Sequence, residues 1–227
     1  MNHSPHVKAP PGTGAVLRAT LEALAQYGPR RAGMTQIARL ADTNRLFLYR
    51  NWAGREALVE QAVRLELRRL LHLAREVREP LPSPCMEARI VVRAARLLRE
   101  HPVVGTAART DPELVHTAIL RPATELHTTA WFWLSEHVTG HITEPAARER
   151  TTLAILTSAL PYALTPPADP SDLSERAAID DRLNTAVHLC LAAPSPCAEP
   201  RLCFSRQGQP EQPGTESRPA HRPPMSG

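Results

Sequence analysis

The sequence predicts an all-α fold, and three observations support this prediction. Apolar residues recur at spacings of three and four along most of the chain, which is the period of an amphipathic helix. No segment alternates apolar and polar residues with a period of two, and no internal repeat is visible, so strands are not expected. With 227 residues, of which 42% are hydrophobic, the chain is long enough to build a core.

The first predicted helix has the sequence AVLRATLEALAQYG. Leu17, Leu21 and Leu24 recur on one face of it, and Gly28 followed by Pro29 is a stop signal of the usual kind. We therefore expect this helix to bury its leucine face and to end at the glycine.

A short second helix is predicted over residues 34–41, with Thr35 as its N-cap. Asp42 comes next, and an aspartate tolerates the left-handed conformation that tight turns between helices often require. Thr43 or Asn44 can then cap the helix that follows. The two helices are therefore expected to meet at a tight turn.

The third predicted helix runs from about Asn44 to Asn51 and mixes arginine, amide and aromatic side chains. At 100° per residue, Leu48 and Trp52 lie close together and are expected to anchor the helix to the core. Packing alone does not explain why the rest of this helix carries so many arginine, amide and aromatic side chains. A long amphipathic fourth helix follows and ends near the prolines of the segment 80–84.

The rest of the chain predicts further helices and a division into four segments. Helices are expected at 85–100, 103–109, 112–139, 144–163 and 172–191. The last segment holds eight of the 23 prolines and little apolar material, which is typical of disorder. The predicted segments are a flexible arm at 1–13, a first helical domain at 14–54, a second helical domain at 55–191 and a disordered tail at 192–227.

Charge is distributed unevenly along the chain. Residues 1–79 hold 13 Lys and Arg against 7 Asp and Glu, whereas residues 80–227 hold 14 against 16. A basic first third on a near-neutral remainder indicates a surface for a polyanion. The major groove of DNA is about wide enough for one helix, and the third predicted helix with its arginines is a suitable occupant.

Other features argue against several classes of protein. The four cysteines form no C-x-x-C pair and no signal-peptide core precedes them, which favours reduced thiols and a cytoplasmic location. No apolar run approaches 18 residues, so no membrane span is expected. G-x-S-x-G, H-E-x-x-H and P-loop motifs are absent, as is a Cys/His set with metal-ligand spacing, so we expect no catalysis, no cofactor and no metal.

The segment MTQIARLADTNRLFLYRNWAGREALV resembles, without a gap, the helix-turn-helix signature of TetR-type transcriptional regulators. The residues that match this signature, the last two by type only, are Thr35, Ile37, Ala38, Ala41, Leu48, Tyr49, Glu56, Leu58, Trp52 and Arg55. The upstream LRATLEALAQYG is similar to the first helix of that family. The resemblance implies an N-terminal three-helix helix-turn-helix DNA-binding domain followed by an α-helical ligand-binding and dimerisation domain.

The resemblance also implies which side chains face DNA. Carried over position by position, Thr35, Tyr49 and Arg55 would contact phosphates, and the amide ends of the second and fourth helices would add their dipoles. We predict contacts to base edges for Arg45 and Arg50, because arginine can bridge guanine O6 and N7. The full predicted DNA-binding set is Thr35, Asn44, Arg45, Leu46, Phe47, Tyr49, Arg50, Asn51 and Arg55.

This chain departs from the family signature at four positions in the same region. Asp42 stands where the family prefers Gly, Leu46 where it prefers a small residue, Phe47 where it usually has Thr, and Asn51 where it usually has His. Leu46 and Phe47 could meet thymine methyl groups, although Phe47 could instead pack on the first helix. Operator preference is expected to differ from that of relatives at these bulky apolar positions.

The resemblance further implies a homodimer that reads a palindromic operator in double-stranded DNA and responds to an unknown small-molecule effector. Small residues in the last two predicted helices permit close approach of two copies. His127, Trp131 and Leu134 share one helical face and are the predicted pocket residues, although the same cluster could be core. His137 and His141 lie four apart, but no cysteine or carboxylate completes a metal set by spacing.

Two alternatives to an effector-controlled repressor stay open at this point. One is a small helical enzyme or metal-binding protein without a DNA-binding role, in which the basic segment is incidental. The other is an architectural DNA-binding protein that lacks an effector pocket. Activity on a substrate without DNA binding would support the first, and the absence of any stabilising ligand would support the second.

Overall fold

The computed structural model describes residues 12–76, 85–120, 124–169 and 171–191. These ranges form ten helices and no strand, which confirms the all-α prediction. The helices are α1 (Thr13–Tyr27), α2 (Met34–Leu40), α3 (Arg45–Asn51), α4 (Arg55–Arg75), α5 (Cys85–Arg99), α6 (Pro102–Thr110), α7 (Pro112–Leu120), α8 (Glu125–His137), α9 (Pro145–Leu164) and α10 (Leu173–Leu191). Nearly all of the predicted arm at 1–13 and all of the predicted tail at 192–227 lie outside the described residues. Among the helices of these ranges, none has the length and apolar character needed to span a bilayer.

Helices α1 to α4 enclose a first hydrophobic core. The buried side chains Val16, Leu24, Ile37, Leu48 and Leu58 come from all four of these helices. α1 packs against both α2 and α4, and α2 packs against α3. Burying a large aliphatic side chain stabilises a fold by about 1.5–3 kcal/mol. The seven-residue helices α2 and α3 are therefore held by tertiary packing rather than by their own helix propensity.

A second core lies among α5, α8, α9 and α10. Val92, Ile155, Leu183 and Val187 are fully buried in it. α5 packs on both α9 and α10, and these two helices pack on each other. α4 joins the two cores, because its first half belongs to the first core and Leu71 in its second half belongs to a cluster shared with α5.

A buried ion pair joins α5 to α10. The side chain of Arg99 is fully buried and donates to Asp180, with 2.7 Å between Nη2 and Oδ1. Its Nη1 donates to the carbonyl oxygen of Tyr162 in α9 at 3.0 Å. Arg96 donates to the second oxygen of Asp180, with 2.7 Å between Nε and Oδ2. One carboxylate thus takes part in fixing the arrangement of three helices.

The start of α2 differs from the sequence prediction. The prediction of Thr35 as the N-cap is wrong, because α2 begins at Met34 and Gly33 occupies the N-cap position. No side chain caps this helix. A glycine N-cap is less stabilising than a hydroxyl residue by only a few tenths of a kcal/mol. The hydroxyl of Thr35 is therefore not needed as a cap and is free for another role.

The predicted single helix over 112–139 is also wrong. The described residues in this region form two helices, α7 and α8, rather than one. The sequence between them contains Pro122, and a proline lacks the amide donor that a continuous helix needs. Thr124 starts α8 as its N-cap, since its hydroxyl oxygen accepts a hydrogen bond from the amide of His127 at 3.3 Å.

Candidate functional site

Helices α2 and α3 meet at a turn with defined geometry. Asp42 adopts a φ of 51°, which is the left-handed conformation that the sequence predicts for it. The amide of Thr43 donates to the carbonyl oxygen of Ala38 at 2.9 Å and closes the turn onto α2. Asn44 caps α3, because its Oδ1 accepts a hydrogen bond from the amide of Phe47 at 2.8 Å. α3 therefore leaves the turn in a fixed direction.

One edge of α3 is anchored to the core. Leu48 is fully buried and Trp52 is buried at the end of the helix, as the sequence predicts for both. The indole Nε1 of Trp52 donates to Oε1 of Gln61 in α4 at 2.6 Å. This bond satisfies the buried end of the indole and fixes the end of α3 against α4.

The opposite side of α3 is exposed over a continuous arc. Leu46 and Tyr49 are 59% and 57% exposed, and Arg45 and Arg50 are exposed beside them. Within the part of the chain that the structure describes, neither arginine makes a hydrogen bond or an ion pair. α3 thus presents two unengaged guanidinium groups together with an apolar and a phenolic side chain.

Two further side chains of the predicted DNA-binding set have partners inside the domain. Phe47 is half-buried and packs against the first core. Asn51 is exposed, but its Nδ2 donates to the carbonyl oxygen of Phe47 at 2.8 Å. This bond uses one N–H of the side-chain amide, so the second N–H and Oδ1 of Asn51 can still contact DNA.

Arg55, the first residue of α4, has a structural role that the sequence does not reveal. Its Nε donates to the carbonyl oxygen of Ala32 at 2.9 Å, and its Nη2 donates to the carbonyl oxygen of Pro29. Its Nη1 lies 3.4 Å from Oε1 of Glu56. Arg55 therefore ties the start of α4 to the loop between α1 and α2, and its side chain is only 28% exposed.

α2 adds two polar side chains to the surface of the domain. Thr35 is exposed in its first turn. Arg39 is exposed one turn later and donates to the hydroxyl of Tyr27. Arg39 is absent from the predicted set, although its spacing of four from Thr35 places both on one helical face.

A cavity of about 180 Å³ lies among α4, α6, α8 and α9, and we refer to it as the α6 cavity. Of the three predicted pocket residues, only His127 lines it. Trp131 is half-buried, packs against the second core and meets the ring of Phe132 edge-on at 5.1 Å. Leu134 is buried in the same core and lines a smaller cavity of about 60 Å³. The structure thus separates one predicted pocket residue from the other two.

The wall of the α6 cavity is mostly apolar, and its polar residues are Glu66, His101, Thr124 and His127. Glu66 and His101 contact each other. Nη2 of Arg69 donates to Oε1 of Glu66 at 2.6 Å, and this hydrogen bond holds the pKa of Glu66 below its ordinary value of 4.5. Nε2 of His101 lies 3.2 Å from the same oxygen. Nδ1 of His101 accepts a hydrogen bond from the amide of Val103 at 3.3 Å. The proton of a neutral His101 is therefore on Nε2 and directed to Glu66.

His127 is another polar residue of the wall. Its Nε2 is buried and has no hydrogen-bond partner among the described residues. Burial lowers the pKa of His127 below its ordinary value of 6.5, which keeps the imidazole neutral at physiological pH. His127 is therefore a lining residue of the α6 cavity with a buried ring nitrogen that has no partner among the described residues.

α6 connects this cavity to α1. Val103 and other residues of its first turn line the cavity. In its second half, Thr106 donates through Oγ1 to the carbonyl oxygen of Ala25 at 2.7 Å. Asp111, which follows α6, accepts from Arg30 with 2.8 Å between Nε and Oδ2. One short helix therefore contacts both the cavity and the end of α1.

The histidine pair of the α8 region has other partners. Nε2 of His137 lies 3.4 Å from Nη1 of Arg75, and Nδ1 of His141 lies 3.7 Å from Oε1 of Glu87. In the ranges that the structure covers, no group of three or more His, Cys, Asp or Glu side chains could hold a metal ion.

Residues 16–62 match a family model described as bacterial regulatory proteins, tetR family. The matched segment begins in α1, includes α2 and α3 and ends in α4. No curated protein and no solved structure matches the chain. The family match confirms the resemblance seen in the helix-turn-helix segment.

Proposed function

Because residues 16–62 match the family model of bacterial regulatory proteins of the tetR family, we propose that the chain is a DNA-binding transcriptional regulator. In this proposal it represses transcription as a homodimer on a palindromic operator and is released by a small-molecule effector. The observation that carries this proposal is the exposed arc of α3. Leu48 and Trp52 fix the helix by one edge, and Arg45 and Arg50 stand unengaged on the other. Such an arrangement suits a helix that enters the major groove and reads guanine edges.

The surface of the last two helices supports the homodimer. One recognition helix gives little affinity, and a two-fold pair reading two half-sites is the usual solution. α9 and α10 pack on each other and keep apolar side chains on their outer sides, with Leu153 and Leu189 48% and 76% exposed. The small residues Ala154 and Ala178 are exposed as well. A second copy of the chain could bury these side chains.

The position of the α6 cavity supports effector control. Its wall includes Leu21 of α1, Val63 of α4 and Val103 of α6. A ligand that favours one arrangement of these helices would bias the position of α1 through the contact between Thr106 and Ala25. α2 packs on α1, and α3 packs on α2. An effector acts in this way only through unequal affinity for the two arrangements.

The DNA-binding part of the proposal is tested by substitution of Arg50. The operator is first selected from random oligonucleotides with the purified protein, and its dissociation constant is measured by gel shift at fixed, moderate salt. Arg50→Ala should weaken operator binding by about 1–3 kcal/mol and relax the base preference at one position of each half-site.

Arg68→Ala removes an exposed arginine of α4 and is the matched control, which should retain operator affinity. Recovery of a palindrome would support the homodimer as well. Unchanged affinity and base preference in the Arg50→Ala protein would exclude α3 as the recognition helix.

A further inference from the structure

The α6 cavity has the size of a small organic ligand and mostly apolar walls. Its volume is about 180 Å³, slightly more than the roughly 150 Å³ of an apolar cavity that accepts benzene. The wall includes Leu67, Leu126, Ala130 and Leu160. Transfer of apolar surface from water into such a site is favourable by about 25 cal/mol per Å². The cavity therefore suits the apolar body of a molecule built around one ring.

His127 is a lining residue of the cavity that has one unused hydrogen-bonding atom. Its Nε2 is buried and unpartnered among the described residues, although a buried polar atom is normally satisfied. A neutral ring nitrogen is a donor in one tautomer and an acceptor in the other. A hydroxyl group can accept from the first and donate to the second, so it suits His127 in either form.

The charges of the wall argue against an acidic ligand. Glu66 is the acidic residue of the wall, and no Lys or Arg side chain is among the described residues that line the cavity. The nearest guanidinium, that of Arg69, is already bonded to both oxygens of Glu66. A carboxylate ligand would lose its hydration and meet a carboxylate without a cation to pair with, which is unfavourable.

From these three features we infer that the α6 cavity takes a neutral, single-ring molecule with one hydroxyl group, and that the hydroxyl bonds to Nε2 of His127. This inference rests on the proposed function only in making that molecule the effector. The affinity and selectivity of the cavity are properties of the protein without DNA.

The test uses three probes of nearly equal shape, 4-ethylphenol, ethylbenzene and 4-ethylbenzoate, with the full-length protein. Dissociation constants are measured by calorimetry in the absence of DNA. The phenol should bind more tightly than the hydrocarbon by roughly threefold to tenfold, the value of one hydrogen bond. The benzoate should bind at least tenfold more weakly than the phenol.

Two substitutions locate the bound probe. His127→Leu should remove the preference for the phenol while ethylbenzene still binds, because an apolar side chain of similar size replaces the imidazole. His116→Leu makes the same change at an exposed histidine of α7 and should leave the order of affinities unchanged. Ala130→Phe places a ring in the cavity and should abolish binding of all three probes.

The outcomes separate the ligand class from the regulatory role. Binding of no probe, preference for the benzoate, or an unchanged phenol preference in His127→Leu would each overturn the ligand class. Operator gel shifts with and without the phenol then test the role of effector alone. If the phenol binds as expected and the DNA complex persists, the ligand class stands and control by this cavity fails.

Discussion

Gly28 lies against the side chain of Thr110 at the end of α6. It ends α1 with φ 81° and ψ 165°, a conformation that essentially only glycine adopts. A β-carbon at this position would lie 2.4 Å from Oγ1 of Thr110, and that hydroxyl already donates to the carbonyl oxygen of Thr106 at 2.9 Å. The glycine therefore permits both the chain reversal and the contact with α6.

We expect Gly28→Ala to lower the free energy of unfolding by about 1–3 kcal/mol, because it adds backbone strain to a steric overlap. Urea denaturation measures the change. Adding Thr110→Ala should recover part of the loss, since it removes the overlapping hydroxyl but leaves the strain.

Gly105→Ala is the matched control for this change. Gly105 lies inside α6, where a β-carbon would contact only the flexible end of Arg109 at 3.4 Å. This substitution should stabilise the protein, by up to about 1 kcal/mol, through helix propensity. Equal stability of Gly28→Ala and the wild-type protein would contradict the assigned role of Gly28.

Single residues of the helix-turn-helix differ in how far the sequence predicts them. The left-handed Asp42 and the capping Asn44 follow from local backbone preferences, and the structure has both. The burial of Leu48 follows from the helical period of the apolar residues. Arg55 shows the limit, because its partners Pro29 and Ala32 lie more than twenty residues earlier and no local pattern connects them.

At the scale of elements, the buried Asp180 carboxylate determines how α10 sits on α5. Asp180→Ala would leave the fully buried guanidinium of Arg99 without its ionic partner. We expect a loss of about 3–5 kcal/mol in the free energy of unfolding, measured by urea denaturation. Asp181→Ala, at the next and less buried position of the same helix, should change it by no more than about 0.5 kcal/mol. A loss of similar size for both variants would show that the ion pair is not the cause.

The elements themselves are largely predictable from the sequence, but their partners are not. Apolar spacing locates α1 to α6, α9 and α10 to within a few residues. The interval 112–139 is predicted as one helix although it contains Pro122, and the described residues form two. The pairing of Arg99 with Asp180 spans 81 residues, and a charged residue in an amphipathic helix gives no sign that it is buried.

At the scale of the whole molecule, the proposed homodimer places the outer faces of α9 and α10 between the two copies of the chain. The double substitution Leu153→Glu and Leu189→Glu places two charges on these faces. It should convert a dimer to a monomer in sedimentation velocity and weaken operator binding at least tenfold, since the two half-sites would no longer be bound as one unit.

Leu65→Glu is the control for this change. Leu65 is 53% exposed on α4, and its substitution should leave both the sedimentation coefficient and operator affinity unchanged. A Leu153→Glu/Leu189→Glu protein that still sediments as a dimer would place the interface elsewhere.

The bond from Thr106 to Ala25 also bears on how such proteins can be recombined. The carbonyl of Ala25 lies in the last turn of α1, where a helix offers no internal donor, and α6 supplies that donor from 81 residues further along the chain. In a chimera that takes residues 16–62 from one regulator and the remainder from another, the acceptor Ala25 and the donor Thr106 would come from different proteins. Transfer of operator specificity between relatives should therefore succeed best when the α1-facing side of α6 is transplanted together with the helix-turn-helix.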